Sequence, residues 1–234
     1  MAAALGEVTL PQPPAARRVF RGTSHHGCAD GDVWTVRQAS RSYAGAVTAF
    51  PRRPDVNELE VFGDLETDKL YLAEPDPEWA LGFATHERRI RHAIGSTAIA
   101  VHHVGSTSVA GLAAKPIIDI LLVVPDITAE EDYLAPLVDA GYALRVREPG
   151  HRMLRTPARD VHLHMHQPDA PDTTDLLLFR DRLRSHPQER ELYESTKREL
   201  LEREWTHMQA YADAKDQVIA EIKERARARS RPRT

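Results

Sequence analysis

From about Leu70 onward, apolar and polar positions recur with periods that define elements. Leu70 to Ala73 reads as a short strand. Asp76 followed by Pro77 predicts a helix start, since an aspartate cap and a first-turn proline both suit backbone groups that lack intrahelical partners. Trp79, Phe83, Ile90 and Ile94 return at helical spacing, and Gly95 predicts the stop. Ile99 to Val104 reads as a strand. Ile117 to Val124 is apolar at every position but Asp119, which suits a strand covered on both faces. Thr128 and Glu131 have capping-box spacing and predict a helix running to Gly141. Tyr142 to Arg147 and Arg152 to Arg155 predict a hairpin through Pro149 and Gly150. In Val161 to His166 the alternation sends Val161, Leu163 and Met165 one way and His162, His164 and His166 the other. Helices follow: Leu176 to Ser185, a second opened by Pro187 with Leu192, Leu200 and Leu201 on one side, and a last one carrying Met208, Tyr211, Val218, Ile219 and Ile222. The order predicts an α+β domain, a small mixed sheet flanked by helices with a C-terminal helical segment.

Residues 1–66 have another texture. PQPP at 11–14, GTSHHGCADGD at 22–32 and PRRP at 51–54 separate short apolar runs at Val33–Val36 and Ala44–Phe50. This predicts an irregular N-terminal extension with two or three short strands. The expected division is therefore an extension over 1–66, a domain over 67–229 and a basic tail over 230–234. Within the extension, His25, His26, Cys28 and Asp30 form a polar cluster that reads as a loop, because a second pair of ligands is missing.

Composition narrows the classes. The chain has 234 residues and a single cysteine, so neither an intramolecular disulfide nor a zinc site with two cysteines can form within it. No apolar run approaches the roughly 20 residues of a membrane span, and no signal-like start is seen, so a cytoplasmic location is expected. The net charge is −4. The last twelve residues hold six Lys or Arg and one Glu, leaving about −9 for the rest. An acidic body without interleaved aromatic and basic residues argues against a nucleic-acid groove. A small molecule is the expected partner.

The candidate chemistry lies in His102-His103-Val104-Gly105-Ser106-Thr107, with Lys115 and Asp119 beyond. A strand that ends in Gly-Ser and turns can hold a phosphate with backbone N–H groups and hydroxyls. Lys115 offers a cation to the same anion. Asp119 interrupts an apolar strand, so it is expected to meet a metal, several N–H donors or a cation such as Lys115 or Arg180. Arg180 and Lys197 are candidates for an anion pocket, with Arg184 better read as a solvated ion-pairing residue. Tyr211 and Lys215 either close that pocket or pair on the helix surface.

HHVGSTSVAGLAAKPIIDILLVV resembles the signature of the GrpB family, together with PDPEW at 75–79, AGY at 140–142, HLHMH at 162–166, LFRDRLRSHP at 178–187, YESTK at 193–197 and YADAK at 211–215. The resemblance spans about residues 70–225. It implies the fold of the DNA-polymerase-β-like nucleotidyltransferases and an enzyme handling a nucleotide or another phosphorylated or anionic small molecule with metal assistance. Gly105, Ser106 and Thr107 would hold phosphate, with Lys115, Arg180, Lys197 and Lys215 around it. Asp119 and Lys115 would be catalytic. Members also occur fused behind dephospho-CoA kinase domains, but this chain has no GxxxxGKT phosphate loop. Nucleotidyltransferases of this superfold place two carboxylates at i and i+2 of one strand and a third on a later strand, holding two Mg²⁺. Here Ile117 and Leu121 flank Asp119 at those spacings, and His162 and His164 stand where the third acid is expected. The residues thus also admit a single-metal set of Asp119, His162 and His164, favouring Zn, Mn or Fe over Mg. They admit as well a binding module that has lost its chemistry. A nucleoside triphosphate is the expected substrate type.

Overall fold

The structure is a computed structural model, and it describes residues 37–39, 52, 54–63, 71–205 and 208–230. Among these lies a seven-stranded mixed sheet. Its strands in chain order are β1 (Arg37–Ala39), β2 (Glu60–Phe62), β3 (Ala100–Val104), β4 (Ile118–Val123), β5 (Ala143–Glu148), β6 (His151–Arg155) and β7 (Val161–His166). Across the sheet the order is β1-β2-β5-β6-β7-β4-β3. The helices are α1 (Glu78–Ile94), α2 (Leu134–Asp139), α3 (Pro171–Ser185), α4 (Pro187–Leu201), α5 (Met208–Asp213) and α6 (Asp216–Ser230).

Strand periodicity sorts the two faces. Val101, Ile120, Leu122, Leu154, Val161, Leu163 and Met165 bury one face against Ile90 and Ile94 of α1 and Leu134 and Leu137 of α2. On the other face Val104, Leu121 and Val123 pack beneath Leu176 and Leu177 of α3. A third cluster joins Val109 and Leu112, from the segment after β3, to Leu183, Tyr193, Val218 and Ile222 of the C-terminal helices. Residues 105–112 are thereby held against α3, α4 and α6. At roughly 25 cal/mol per Å² of apolar surface removed from water, these clusters supply the main driving force for the architecture.

The α+β class and the mixed sheet agree with the expectation. Asp76 does cap α1, its Oδ1 accepting from the Glu78 N–H at 2.8 Å. Gly95 ends α1 with φ 53°. Several details differ. Thr128 and Glu131 do not form a capping box. Asp126 Oδ1 instead accepts from both the N–H and the hydroxyl of Thr128, at 2.8 and 2.7 Å. A 3₁₀ turn over Glu130–Asp132 precedes the short helix α2. The single last helix is two, broken at Ala214 and Lys215. The Leu70–Ala73 strand reduces, in its described part, to one bridge between Ala73 and Ala114. Leu192 is exposed, unlike Leu200.

The 66/67 boundary does not coincide with the edge of the sheet. Phe62 lies in the main core, β2 pairs antiparallel with β5, and β1 pairs parallel with β2. The expected strands at Val33–Val36 and Ala44–Phe50, the His25, His26, Cys28 and Asp30 cluster and the tail beyond Ser230 lie outside the described residues. No helix of the described residues is long and apolar enough to cross a membrane.

Candidate functional site

β4 and β7 run parallel as neighbours, β4 lying one strand in from the β3 edge, with Asp119 beside His162 and Leu121 beside His164. Because side chains alternate along a strand, Asp119, His162 and His164 share the α3 face. Leu121 and Val123 continue that face under Leu176 and Leu177, so Asp119 stands where apolar cover ends. Asp119 Oδ1 lies 3.6 Å from His162 Nδ1 and 3.6 Å from His164 Nε2. One donor atom from each residue lies within 4.8 Å of the others. Metal–ligand bonds of about 2.0–2.2 Å in a tetrahedron set neighbouring ligand atoms about 3.3–3.6 Å apart, which is the spacing of Asp119 to each histidine. The second nitrogen of His162, Nε2, is buried without a hydrogen-bond partner among the described residues. Loss of water around Asp119 opposes its ionisation, but His162 and His164 outweigh this and hold the carboxyl well below the usual range. For His164 the loss of water favours the neutral ring, with Asp119 opposing and His151 reinforcing. A neutral imidazole and an ionised carboxylate are the protonation states that bind metal.

Gly105 joins this trio to the turn. It follows β3 with φ 65° and ψ −176°, a region open essentially to glycine alone. A Cβ there would sit 2.2 Å from Asp119 Oδ2. The backbone of the turn therefore touches the Asp119 carboxylate. The 3₁₀ turn Ser106–Ser108 comes next, and its side chains divide the work. Thr107 is buried, meets His103 Nε2 at 3.0 Å and donates to the Ile117 carbonyl at 3.0 Å. Ser108 donates to the Gly105 carbonyl at 2.7 Å, and its own carbonyl accepts from Arg184 at 2.8 and 3.0 Å.

Ser106 faces the C-terminal helices. Lys197 Nζ of α4 donates to Ser106 Oγ at 3.3 Å and also to the Ala113 carbonyl. Its ammonium lies over the Tyr193 ring, 4.9 Å from the centroid, and the Tyr193 hydroxyl faces Ser106. Lys197 is buried. Loss of water, and then the charge of Lys215, lower its pKa to about 7. Lys215 covers the Tyr211 ring at 4.8 Å.

Other expected residues have different company. Arg180 forks onto its neighbour Asp181 at 2.7 and 3.0 Å and donates to the His103 carbonyl at 3.3 Å. The contacts of Asp119 are with His162 and His164, not with Arg180. Lys115 is half-buried in the segment leading into β4, its carbonyl accepting from the Ile117 N–H at 2.7 Å. Thr107 spends its hydroxyl inside the fold, so the hydroxyl available to an anion is that of Ser106.

A family model described as GrpB protein matches residues 69–225. The chain belongs to the GrpB family. UPF0157 protein SCO7215 of Streptomyces coelicolor is 52% identical over 180 residues, 77% of this chain and 96% of that protein. A protein called dephospho-CoA kinase in Mycolicibacterium paratuberculosis is 29% identical over 184 residues, 66% of this chain but 45% of the kinase. Among solved structures, the conserved protein GrpB from Enterococcus faecalis superposes with a TM-score of 0.60 at 30% identity, covering 67% of this chain and 96% of that one. The helix-flanked mixed sheet is thus a GrpB fold.

Two parts of the candidate site escaped sequence reasoning. His151 and Glu148 sit behind His164: His151 Nε2 is 3.2 Å from His164 Nδ1, and His151 Nδ1 is 2.6 Å from Glu148 Oε1. The only sequence signal there was the turn at Pro149 and Gly150. Tyr193, which meets Ser106 and lies under Lys197, was visible only as part of the YESTK motif.

Proposed function

We propose that this GrpB protein is a metal-assisted, nucleotidyltransferase-like enzyme that acts on a nucleotide or another phosphorylated small molecule. One observation carries the reading: at Gly105 the backbone touches the Asp119 carboxylate, so the Asp119–His162–His164 donors adjoin the Ser106–Lys197 pair. A metal-holding set and a polar, cationic seat for an anion thereby share one wall. Asp119, His162 and His164 would hold a divalent ion, which supplies a Lewis acid for a phosphoryl oxygen and eases deprotonation of an attacking hydroxyl. Ser106 Oγ and Lys197 Nζ would receive phosphate oxygens, with Lys215 adding charge. Two imidazoles and one carboxylate suit Zn, Mn or Fe better than Mg. Leu121, fully buried under α3, and Ile117 stand at the two positions flanking Asp119 where the second carboxylate of a two-Mg²⁺ design would be.

The test is calorimetry with ATP, CTP, GTP and UTP, with and without Mn²⁺ or Zn²⁺. At least one nucleotide is expected to bind in the presence of metal. Asp119→Asn should weaken metal binding by more than the roughly 10–100-fold typical of losing an outer partner, since Asp119 is the set's only carboxylate. Folded protein that binds no nucleotide under any condition would reject the proposal. The apolar Leu121 also favours a second reading, a module that holds the anion without turning it over. Formation of product from a triphosphate, dependent on Asp119, would decide for the enzyme.

A pH effect follows from Lys197. Its ammonium is half present near pH 7, nearly complete about a unit below, and lost as pH rises further. Sulfate keeps its charge across this range and is a suitable probe. Its affinity should be level at pH 6, then weaken toward about tenfold per unit above pH 7 as binding draws in a proton. Glu194, Arg198 and Lys215 are the other charges that act on Lys197. Lys197→Arg keeps its charge and should flatten the profile. A flat profile in the unaltered protein would rule this effect out.

A further inference from the structure

We propose that Glu148 and His151, on the β5–β6 hairpin, are positioning residues that fix the tautomer and aim of His164. The inference rests on the metal-holding reading of Asp119, His162 and His164. A carboxylate only accepts, so the 2.6 Å contact requires His151 to carry its proton on Nδ1 and donate to Glu148 Oε1. The Nε2 of a neutral His151 is then bare. It lies 3.2 Å from His164 Nδ1, so His164 must carry its proton there and donate. This leaves His164 Nε2 with a lone pair, 3.6 Å from Asp119 Oδ1. In that tautomer two acceptors face each other with no hydrogen between them, so the hold of His164 on the ionised carboxylate passes to a cation. Such a pair repels unless a cation lies between, whereas an Nε2–H tautomer would let His164 hydrogen-bond the carboxylate. The Glu148–His151 pair thus turns an ordinary His–Asp contact into a cation-holding one.

The hairpin is built to hold that orientation. His151 lies opposite His166 and diagonal to His164, stacked on both rings at 4.6 Å and 5.4 Å with planes within 11°. The Gly150 carbonyl accepts from His166 Nδ1 at 3.2 Å. Arg152, fully buried, donates to the His151 and Glu148 carbonyls at 2.9 and 3.1 Å. Asp55 accepts from the Gly150 N–H at 2.6 Å and from Arg152 at 2.9 Å. A ligand whose second nitrogen is held in this way binds metal more tightly, because its orientation is set beforehand and its basicity is raised.

Two measurements test this. In metal-free protein labelled with ¹⁵N-histidine and assigned with His164→Asn, long-range ¹H–¹⁵N spectra should show His164 protonated on Nδ1. A wild-type His164 protonated on Nε2 would overturn the inference. Second, Zn²⁺ and Mn²⁺ affinities are compared for the wild type, Glu148→Gln, His151→Leu and Asp119→Asn. Glu148→Gln preserves size at a partly exposed position and so guards against a folding artefact. Both hairpin variants should bind metal about 10–100-fold more weakly with unchanged urea midpoints. If both bind like wild type while Asp119→Asn fails, the positioning role is wrong and the metal-holding reading stands. If the wild type takes up no metal, that reading falls and takes this inference with it.

Discussion

Replacing Glu130 with alanine is expected to destabilise the domain by about 3–5 kcal/mol, the usual result of removing one member of a buried charged group. Glu130 is 1% exposed and Arg152 is wholly buried. Glu130 accepts from Arg147 at 2.8 and 2.7 Å and from Arg152 at 2.8 Å. Truncation would leave two guanidinium groups out of water with their main counter-charge gone. Arg147 keeps Glu60 at 3.2 Å, and Arg152 keeps Asp55 at 2.9 Å, both more exposed acids. For a domain of this size the loss corresponds to a melting temperature lower by roughly 6–20 °C. Glu130→Gln, which preserves shape and some acceptors, should cost less. A loss for Glu130→Ala below about 1 kcal/mol in urea denaturation would show that the network adds little. Because Arg152 also holds the His151 and Glu148 carbonyls, Glu130→Ala should loosen the hairpin that backs His164.

Glu130 also shows where sequence reading stops. Thr128 and Glu131 had capping-box spacing, and nothing in that pattern singled out Glu130. In the fold Asp126 closes a turn on Thr128, a 3₁₀ helix without a side-chain cap follows, and the residue one position before Glu131 points inward. Local spacing cannot register arginines that arrive from strands seventeen and twenty-two residues later. The same limit hid His151. A hairpin was legible from Pro149 and Gly150, but contact with His164 depends on the pairing of β6 with β7, which aligns Met153 with His164 and sets His151 on the diagonal. Arg180 was a candidate for its guanidinium fork alone, and neither the ion pair with the adjacent Asp181 nor the bond to the His103 carbonyl was legible in that chemistry.

The centre of the site was more legible because it rests on a period of two. One acid in the β4 run and every second residue of β7 suffice to predict a shared face. What the pattern did not contain was the side-by-side register that brings Asp119 against His162. The helices were legible where their ends were chemical, at the Asp76 start and the Gly95 stop of α1. They were misread where packing decides, as at the break between α5 and α6.

Gly105→Ala should damage stability and site together. At φ 65° and ψ −176° an alanine backbone is strained by about 1–3 kcal/mol. The added Cβ would also meet Asp119 Oδ2 at 2.2 Å and its Cβ and Cγ at 2.9 Å, which adds about 1–3 kcal/mol of overpacking. A total of about 2–6 kcal/mol means a melting temperature lower by roughly 4–24 °C. To escape, the Asp119 carboxylate must swing from the two histidines, so metal affinity should fall together with stability. A cycle with Asp119→Ala separates the causes. If the contact with the carboxylate matters, the double variant loses at least about 1 kcal/mol less than the sum of the singles, because one source of crowding is gone and only backbone strain and the Cβ contact remain. Additive losses would assign the effect to backbone strain alone and would remove Gly105 as the link between the turn and the donor trio. That link places Ser106 and Lys197 beside Asp119, so the coupling measured at this glycine also tests whether the two halves of the site act as one.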